Sequence, residues 1–315
     1  MVLLVERPDR PGHAFVLKQA RAQLRTEQPW FSSIERNWRE ADVLRACQQL
    51  LGSATVTASV SLVFETPQIL FEDREEYLFA MTAAPRPNVV WKAELLAGRV
   101  AGEIATAAGA LLGTLHAESW RNAEIAAELG DRTLFEELRV APYYHTLAEK
   151  RPDAREGVQR LLAALAASPR SLVHADFSPK NLLVFSGGLM MVDFETGHFG
   201  DPAFDLGFFL SHLLLKACLQ APDHLRYLAL VERFRDSYDL VLAPKISAAE
   251  LSNLWARGVQ NLAGCAWARL DGKSPVEYLT DDRKSELIRG LCRELFRGQP
   301  RDLRDVLKLA NHTFS

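Results

Sequence analysis

The chain has 315 residues, 48% of them hydrophobic, 24% charged and 9% aromatic, with 18 Gly and 15 Pro. This is globular composition; it excludes a disordered or collagen-like chain, and the length suits two domains or one domain of two lobes. Lys and Arg number 37 against 40 Asp and Glu, a formal net charge of −3, so no basic surplus points to nucleic acid or to an anionic membrane.

Cys47, Cys218, Cys265 and Cys292 lie far apart and form no C-x-x-C, which predicts reduced, mostly buried thiols rather than disulfides or a zinc site. The opening MVLLVERPDRPG is too charged for a signal peptide. The apolar run from Phe204 to Leu215 is broken by Asp205, Ser211 and His212 and is too short to span a bilayer. A soluble cytoplasmic protein is expected.

In chain order, MVLLVER and HAFVLKQ read as two strands joined through PDRPG. SSIERNWREADVLRACQQLL reads as a helix, with Ser32 and Glu35 at capping-box spacing. SVSLVFET and EYLFAMT read as strands. After Pro85 and Pro87 the texture changes, and a hinge near Thr82 to Pro87 is expected. WKAELLAGRVAGEIATAAGALLGTLHAES reads as one long helix. Helical periodicity continues through 134–149, 153–167, 203–219, 223–241, 247–269, 281–297 and 301–311. Between them, 171–194 alternates apolar runs with turns, and Ser186-Gly187-Gly188 fits a hairpin between NLLVF and LMMVDF. The expectation is an α+β, two-lobed chain: a β-rich lobe over 1–84 with one helix, and a mainly helical lobe over 85–315.

The residues that point to chemistry are His174, Asp176 and Asn181, spaced H-x-D-x-x-x-x-N, followed by Asp193 at the end of the apolar strand LMMVD. Phosphoryl transfer from ATP needs a carboxylate to orient and deprotonate a hydroxyl, oxygen ligands for magnesium, and a cation for the phosphates. Asp176 supplies the first; Asn181 and Asp193 supply the second. A lone H-x-D would read as a structural histidine beside a solvated aspartate; the full spacing with a strand-borne aspartate is far more specific. A metallohydrolase on His174, Asp176 and Asp193 leaves Asn181 unexplained. Lys18, inside Phe15-Val16-Leu17-Lys18, reads either as a strand-edge lysine facing solvent or as the cleft cation, with Glu40 its best partner and Glu35 the second.

These segments resemble the superfamily of aminoglycoside phosphotransferases, choline kinases and methylthioribose kinases, small-molecule kinases of protein-kinase-like fold. The likeness runs through FVLKQ, READVLRAC, LLGTLHAES, HADFSPKNLLV and MVDFETGHFGDPAFDLGFF, which covers most of the chain in order. It implies Asp176 as catalytic base, Asn181 and Asp193 as magnesium ligands, and Lys18 on the α- and β-phosphates of ATP with Glu40 holding it. It implies adenine contacts along Met81, Thr82, Ala83 and Ala84. His174 and Asp205 support the catalytic loop, Asp205 by capping its backbone from a helix start. Glu195 extends the metal site or faces the acceptor. His116, in an apolar helix, reads as a satisfied core histidine.

The family also carries a glycine-containing loop ahead of the lysine strand. Here that stretch holds only Gly12, in a different place, so a first strand and its loop are expected to be missing and ATP turnover to be weak. The alternative activity is accordingly a catalytically impaired pseudokinase or nucleotide-binding module. The acceptor, a small molecule with a hydroxyl, is expected near Arg269, Asp271 and Lys273, where Asp271-Gly272-Lys273-Ser274-Pro275 either ends one helix and caps the next or binds the substrate.

Overall fold

The computed structural model of the chain describes residues 1–6, 14–21, 23, 32–53, 62–298 and 302–315. The chain begins with β1 (Val2–Glu6), β2 (Ala14–Gln19), α1 (Arg36–Ser53), β3 (Val63–Glu65), β4 (Ile69–Asp73) and β5 (Leu78–Thr82). Next come β6 (Asn88–Val90), α2 (Trp91–Leu96), α3 (Gly102–Glu118), α4 (Ala123–Leu129) and α5 (Thr133–Phe135), which runs into a π-helical segment, Glu136–His145. Then follow α6 (Thr146–Lys150), α7 (Arg155–Ala167), β7 (Ser171–Val173), β8 (Leu182–Phe185), β9 (Gly188–Met191) and β10 (His198–Gly200). The chain closes with α8 (Ala203–Leu219), α9 (His224–Leu242), α10 (Ala248–Asp271), α11 (Asp282–Arg297) and α12 (Leu303–Phe314).

The result is the two-lobed α+β arrangement expected: a small β-rich N-terminal part and a larger helical part. The first sheet is antiparallel in the order β1-β2-β5-β4, with Lys18 opposite Phe79. β1 forms its edge and shows Val2, Leu3 and Leu4 to solvent. The turn from β1 to β2, with Gly12, lies outside the described residues. A second sheet, β3-β9-β8-β6, pairs β3 in parallel with β9 and so ties the stretch before β4 to the hairpin of the helical part.

The apolar spacing read from the sequence fixes which faces are buried. α8 is sheathed on every side, with Phe204, Phe208, Phe209 and Leu213 almost fully buried; α9 and α10 pack against it, and α3 packs on α9. Each such side chain contributes about 1.5–3 kcal/mol of burial. α3 and α9 approach so closely that a Cβ on Gly109 would stand 2.2 Å from the Phe234 carbonyl oxygen. All four cysteines are free and buried, as expected.

Three expectations on local structure change. The long helix from Trp91 is two helices, α2 and α3, because Gly98 takes φ +76° and turns the chain between them. Ser32 does not cap α1: its hydroxyl donates to Glu137 Oε2 at 3.1 Å, and Ser33 Oγ instead accepts the Glu35 N–H at 3.1 Å. β4 was not among the expected strands; its Pro67 start and acidic end hide a short run that pairs with β5 through a bulge between Ile69 and Phe71. The Ser186-Gly187 hairpin is present, with Gly187 at φ +79°.

Candidate active site

β7 leads into the segment that holds His174, Asp176 and Asn181. Ala175 adopts φ +59°, an uncommon left-handed conformation for a residue with a side chain. Asp205, wholly buried at the start of α8, holds that turn: its Oδ1 accepts the Ala175 N–H and its Oδ2 accepts the His174 N–H, both at 2.7 Å. His116 on α3 reaches the same Oδ2 at 3.2 Å through Nε2, and its Nδ1 meets the Tyr238 hydroxyl at 2.8 Å. Burial alone would raise the Asp205 pKa, but these hydrogen bonds and the His116 and His174 rings outweigh it and lower it. His174 accepts the Asp176 N–H on Nδ1 at 3.2 Å, and its Nε2 faces the Val192 carbonyl at 3.2 Å. Burial keeps its ring neutral by lowering its pKa. The histidine thus links the Asp176 turn to the strand end that carries Asp193.

Both oxygens of Asp176 are engaged. Asn181 donates its amide to Oδ2 at 2.6 Å and to the Asp176 carbonyl at 3.0 Å, which leaves its own carbonyl oxygen as a ligand atom. Arg139 NH2 lies 2.9 Å from Oδ1, while Nε of the same guanidinium donates to the Ala175 carbonyl at 2.7 Å. Arg139 comes from the π-helical segment. Pro142 sits within that segment, and the Leu138 carbonyl accepts Arg139 NH1 at 2.8 Å. Lys180 stands exposed at the rim, its pKa raised first by Asp176 and also by Asp193.

Asp193, at φ +73°, carries the second half of the site. Its Oδ1 accepts from Lys18 Nζ at 2.6 Å, and the same ammonium donates to Glu40 Oε1 on α1 at 2.5 Å. Glu35, the second partner considered for Lys18, lies in the turn before α1. Glu195 pairs with Arg36 at 3.3 Å. Burial works against the Lys18 ammonium, but Asp193, Glu40 and Glu195 outweigh it and raise its pKa. Burial likewise opposes ionisation of Asp193, yet Lys18 and Lys180 hold its pKa far below the usual carboxylate range. Glu40 is pushed up by burial to about 7, and Glu195 is also raised, by burial first and then by Asp193.

Oxygens of Glu40, Asp193 and Glu195 lie within 4.8 Å of one another. Three carboxylates here face Lys18 and Arg36; burial first, and then the neighbouring carboxylates, make Glu40 and Glu195 resist ionisation. An all-oxygen set of this kind fits a hard divalent cation such as magnesium. The sequence reading gave Asn181 and Asp193 as ligands, with Glu195 extending the metal site or facing the acceptor; here oxygens of Glu195 and Glu40 stand with Asp193.

The remaining candidates divide. Met81 is buried within β5 between Val16 and Ile69, Thr82 ends that strand with its N–H on the Gln68 carbonyl at 2.9 Å, and Ala83 follows. Asp271 is braced by Arg151 at 2.7 Å, Arg289 at 2.9 Å and Trp267 Nε1 at 3.0 Å, the bonding of a structural hub. The Lys273 N–H donates to the Pro142 carbonyl at 3.0 Å. Arg269 turns toward Tyr143, whose hydroxyl it meets at 3.3 Å, and toward the Ser274 carbonyl at 2.5 Å. The sequence reading missed Arg139, because nothing in a helical pattern marks one arginine as pointing at a residue 37 positions on.

A buried turn held by a helix-borne aspartate, facing a lysine from a small sheet that pairs with a glutamate on α1, defines a two-lobed, kinase-like fold. Solved structures share it. The chain superposes on the amicoumacin kinase hAmiN in complex with AMP-PNP, Ca2+ and amicoumacin with a TM-score of 0.57, at 14% identity over 98% of this chain and 91% of that one. It superposes on a choline/ethanolamine kinase family protein from Mesorhizobium loti with a TM-score of 0.51, at 17% identity over 96% and 88%. No curated protein sequence matches it. The family model of the phosphotransferase enzyme family matches residues 4–233, and the chain belongs to that family. The resemblance to aminoglycoside phosphotransferases and choline kinases read from the motifs therefore stands.

Proposed function

We propose that this protein transfers the γ-phosphoryl group of MgATP to a hydroxyl of a small molecule, in a cleft between an N-terminal lobe over 1–84 and a C-terminal lobe over 85–315. The observation that carries the reading is the joining of Asp176, Asn181, Asp193, Lys18 and Glu40 by contacts of 2.5–2.6 Å into two adjacent clusters linked through His174. Asp176 orients the acceptor hydroxyl and takes its proton as the phosphoryl group transfers. Asn181 and Arg139 hold its two oxygens, so the carboxylate cannot rotate out of line. Lys18, anchored by Glu40, meets the α- and β-phosphates, and Met81, Thr82 and Ala83 border the adenine. Asn181, Asp193 and Glu195 would hold magnesium, which when bound neutralises charge on the phosphates.

The intact Asp176–Asn181–Asp193 set favours this reading over a pseudokinase. A thermal-shift titration with MgATP tests it. The wild type is expected to be stabilised in proportion to ligand occupancy, and Asp193→Ala to lose that shift. Absence of any shift in the wild type contradicts the reading.

A further inference from the structure

α8 runs outward from the catalytic turn, and Phe208, His212 and Lys216 lie along one of its faces at successive spacings of four residues. The inner end of this stripe adjoins the catalytic base: the Arg139 guanidinium that holds Asp176 sits 5.7 Å over the Phe208 ring. The Phe208 and His212 rings are 5.0 Å apart. The outer end is Lys216, whose side chain is fully buried. Its ammonium meets only uncharged oxygens, the His212 carbonyl at 3.2 Å and the Tyr278 hydroxyl at 3.5 Å, and no carboxylate pairs with it among the described residues. It lies 5.0 Å from the Tyr278 ring centroid, and Lys92 lies 5.7 Å from the same ring.

Two further arms reach the stripe. Tyr143 packs 5.8 Å from Phe208, and Arg269 stacks 5.9 Å over Tyr143 with its Nε buried and without a hydrogen-bond partner. Among the described residues the one carboxylate in reach is Glu277, exposed and already paired with Lys92. Three cations and one carboxylate thus gather around the Tyr143, Phe208 and Tyr278 rings, on the face of α8 whose inner end meets Arg139.

A buried lysine without a counter-ion is costly to the fold, and such groups persist where a ligand supplies the missing charge. Burial, then Lys92 and Arg269, lower the Lys216 pKa to about 7, the sign of an unmet demand for negative charge. Burial first, and then Lys216, Arg269, Lys92 and Lys180, push the His212 ring well below its ordinary range.

We propose that the acceptor is an anion: a small alcohol carrying a carboxylate or phosphate head that seats on Lys216 and Arg269 against Tyr278, with its hydroxyl presented to Asp176. The reading deepens the phosphotransferase function and rests on it for the hydroxyl; the anion seat stands on its own contacts. A polycationic aminoglycoside or a quaternary amine would meet like charge here rather than the carboxylates or open aromatic cage it needs.

The test is isothermal titration calorimetry with two probes, inorganic phosphate for a phosphate head and D-glycerate for a carboxylate head, in saturating MgADP. At least one is expected to bind the wild type, and Lys216→Met and Arg269→Gln are each expected to weaken that binding at least tenfold; which probe binds identifies the head. Lys92→Gln serves in place of any variant that does not fold. Failure of both probes to bind, unchanged binding in the variants, or binding of kanamycin or choline in their stead overturns the proposal. A wild type that binds neither MgATP nor MgADP removes the kinase reading and leaves the anion measurement standing. An anion failure with MgATP binding intact removes only the acceptor assignment.

Discussion

Asp176 spends one oxygen on Asn181 and the other on Arg139, so its geometry is fixed before any substrate arrives. Asp176→Ala is expected to lower kcat by about 10²–10⁴, the usual worth of a positioned general base, while leaving the MgATP thermal shift in place. Arg139→Gln keeps a donor but loses the fork. It is expected to reduce kcat with little change in the KM for ATP, and a change confined to KM would remove Arg139 from its positioning role.

Two titrating groups give pH predictions of definite sign. Glu40 is neutral below about 7 and anionic above it. Stabilisation by Mg2+ should therefore grow between roughly pH 6 and 8, and Glu40→Gln should flatten that dependence, as read by thermal shift. Lys216 has a folded pKa of about 7 against its ordinary 10.5. The unfolded chain then binds more protons between those values, so the penalty of this lysine is full below about 7 and fades as pH rises toward 10.5. Lys216→Met should accordingly be more stable than the wild type near neutrality, and the gap, followed by urea denaturation, should close in alkali. The groups facing Lys216 are Lys92, Arg269, His212, Tyr278 and Glu277, and all but Glu277 leave its charge uncompensated.

At the scale of elements, the α3–α9 contact is the most exacting. Alanine normally favours a helix over glycine by about 0.5–1 kcal/mol, yet at Gly109 the added methyl would collide with the Phe234 carbonyl at 2.2 Å. Gly109→Ala is expected to destabilise by about 1–3 kcal/mol in urea denaturation; a gain in stability would show that the two helices can part. The helices from Arg155 onward were legible in the sequence to within a few residues, most because a buried face alternates with a charged one, and α8 because its apolar run is long. The break at Gly98 was hidden by the Ala- and Leu-rich stretches that flank Gly98 to Gly102. Arg139 was hidden by the π-helical register, which displaces side chains from the faces that a 3.6-residue period assigns. The Asp176, Asn181 and Asp193 set was readable because its spacing along the chain is fixed by one turn and one hairpin. The cluster around Lys216 was not, since it joins α2, α8, α10 and the residues after α10, and no local pattern records that meeting.

For the whole molecule, no helix among the described residues is long and apolar enough to cross a membrane. The two parts of the chain meet through the Lys18–Asp193 bridge and the β3–β9 pairing, so nucleotide binding is expected to couple them. The central claim is that Asp176 carries phosphoryl transfer to an alcohol. Its most direct measurement is MgATP-dependent ADP release in the presence of the small-molecule fraction of a cell extract, wild type against Asp176→Ala. The account predicts acceptor-dependent release by the wild type at least about 100-fold above the variant, with MgATP bound by both. Equal release from the two proteins, or none from a wild type saturated with MgATP, would contradict it.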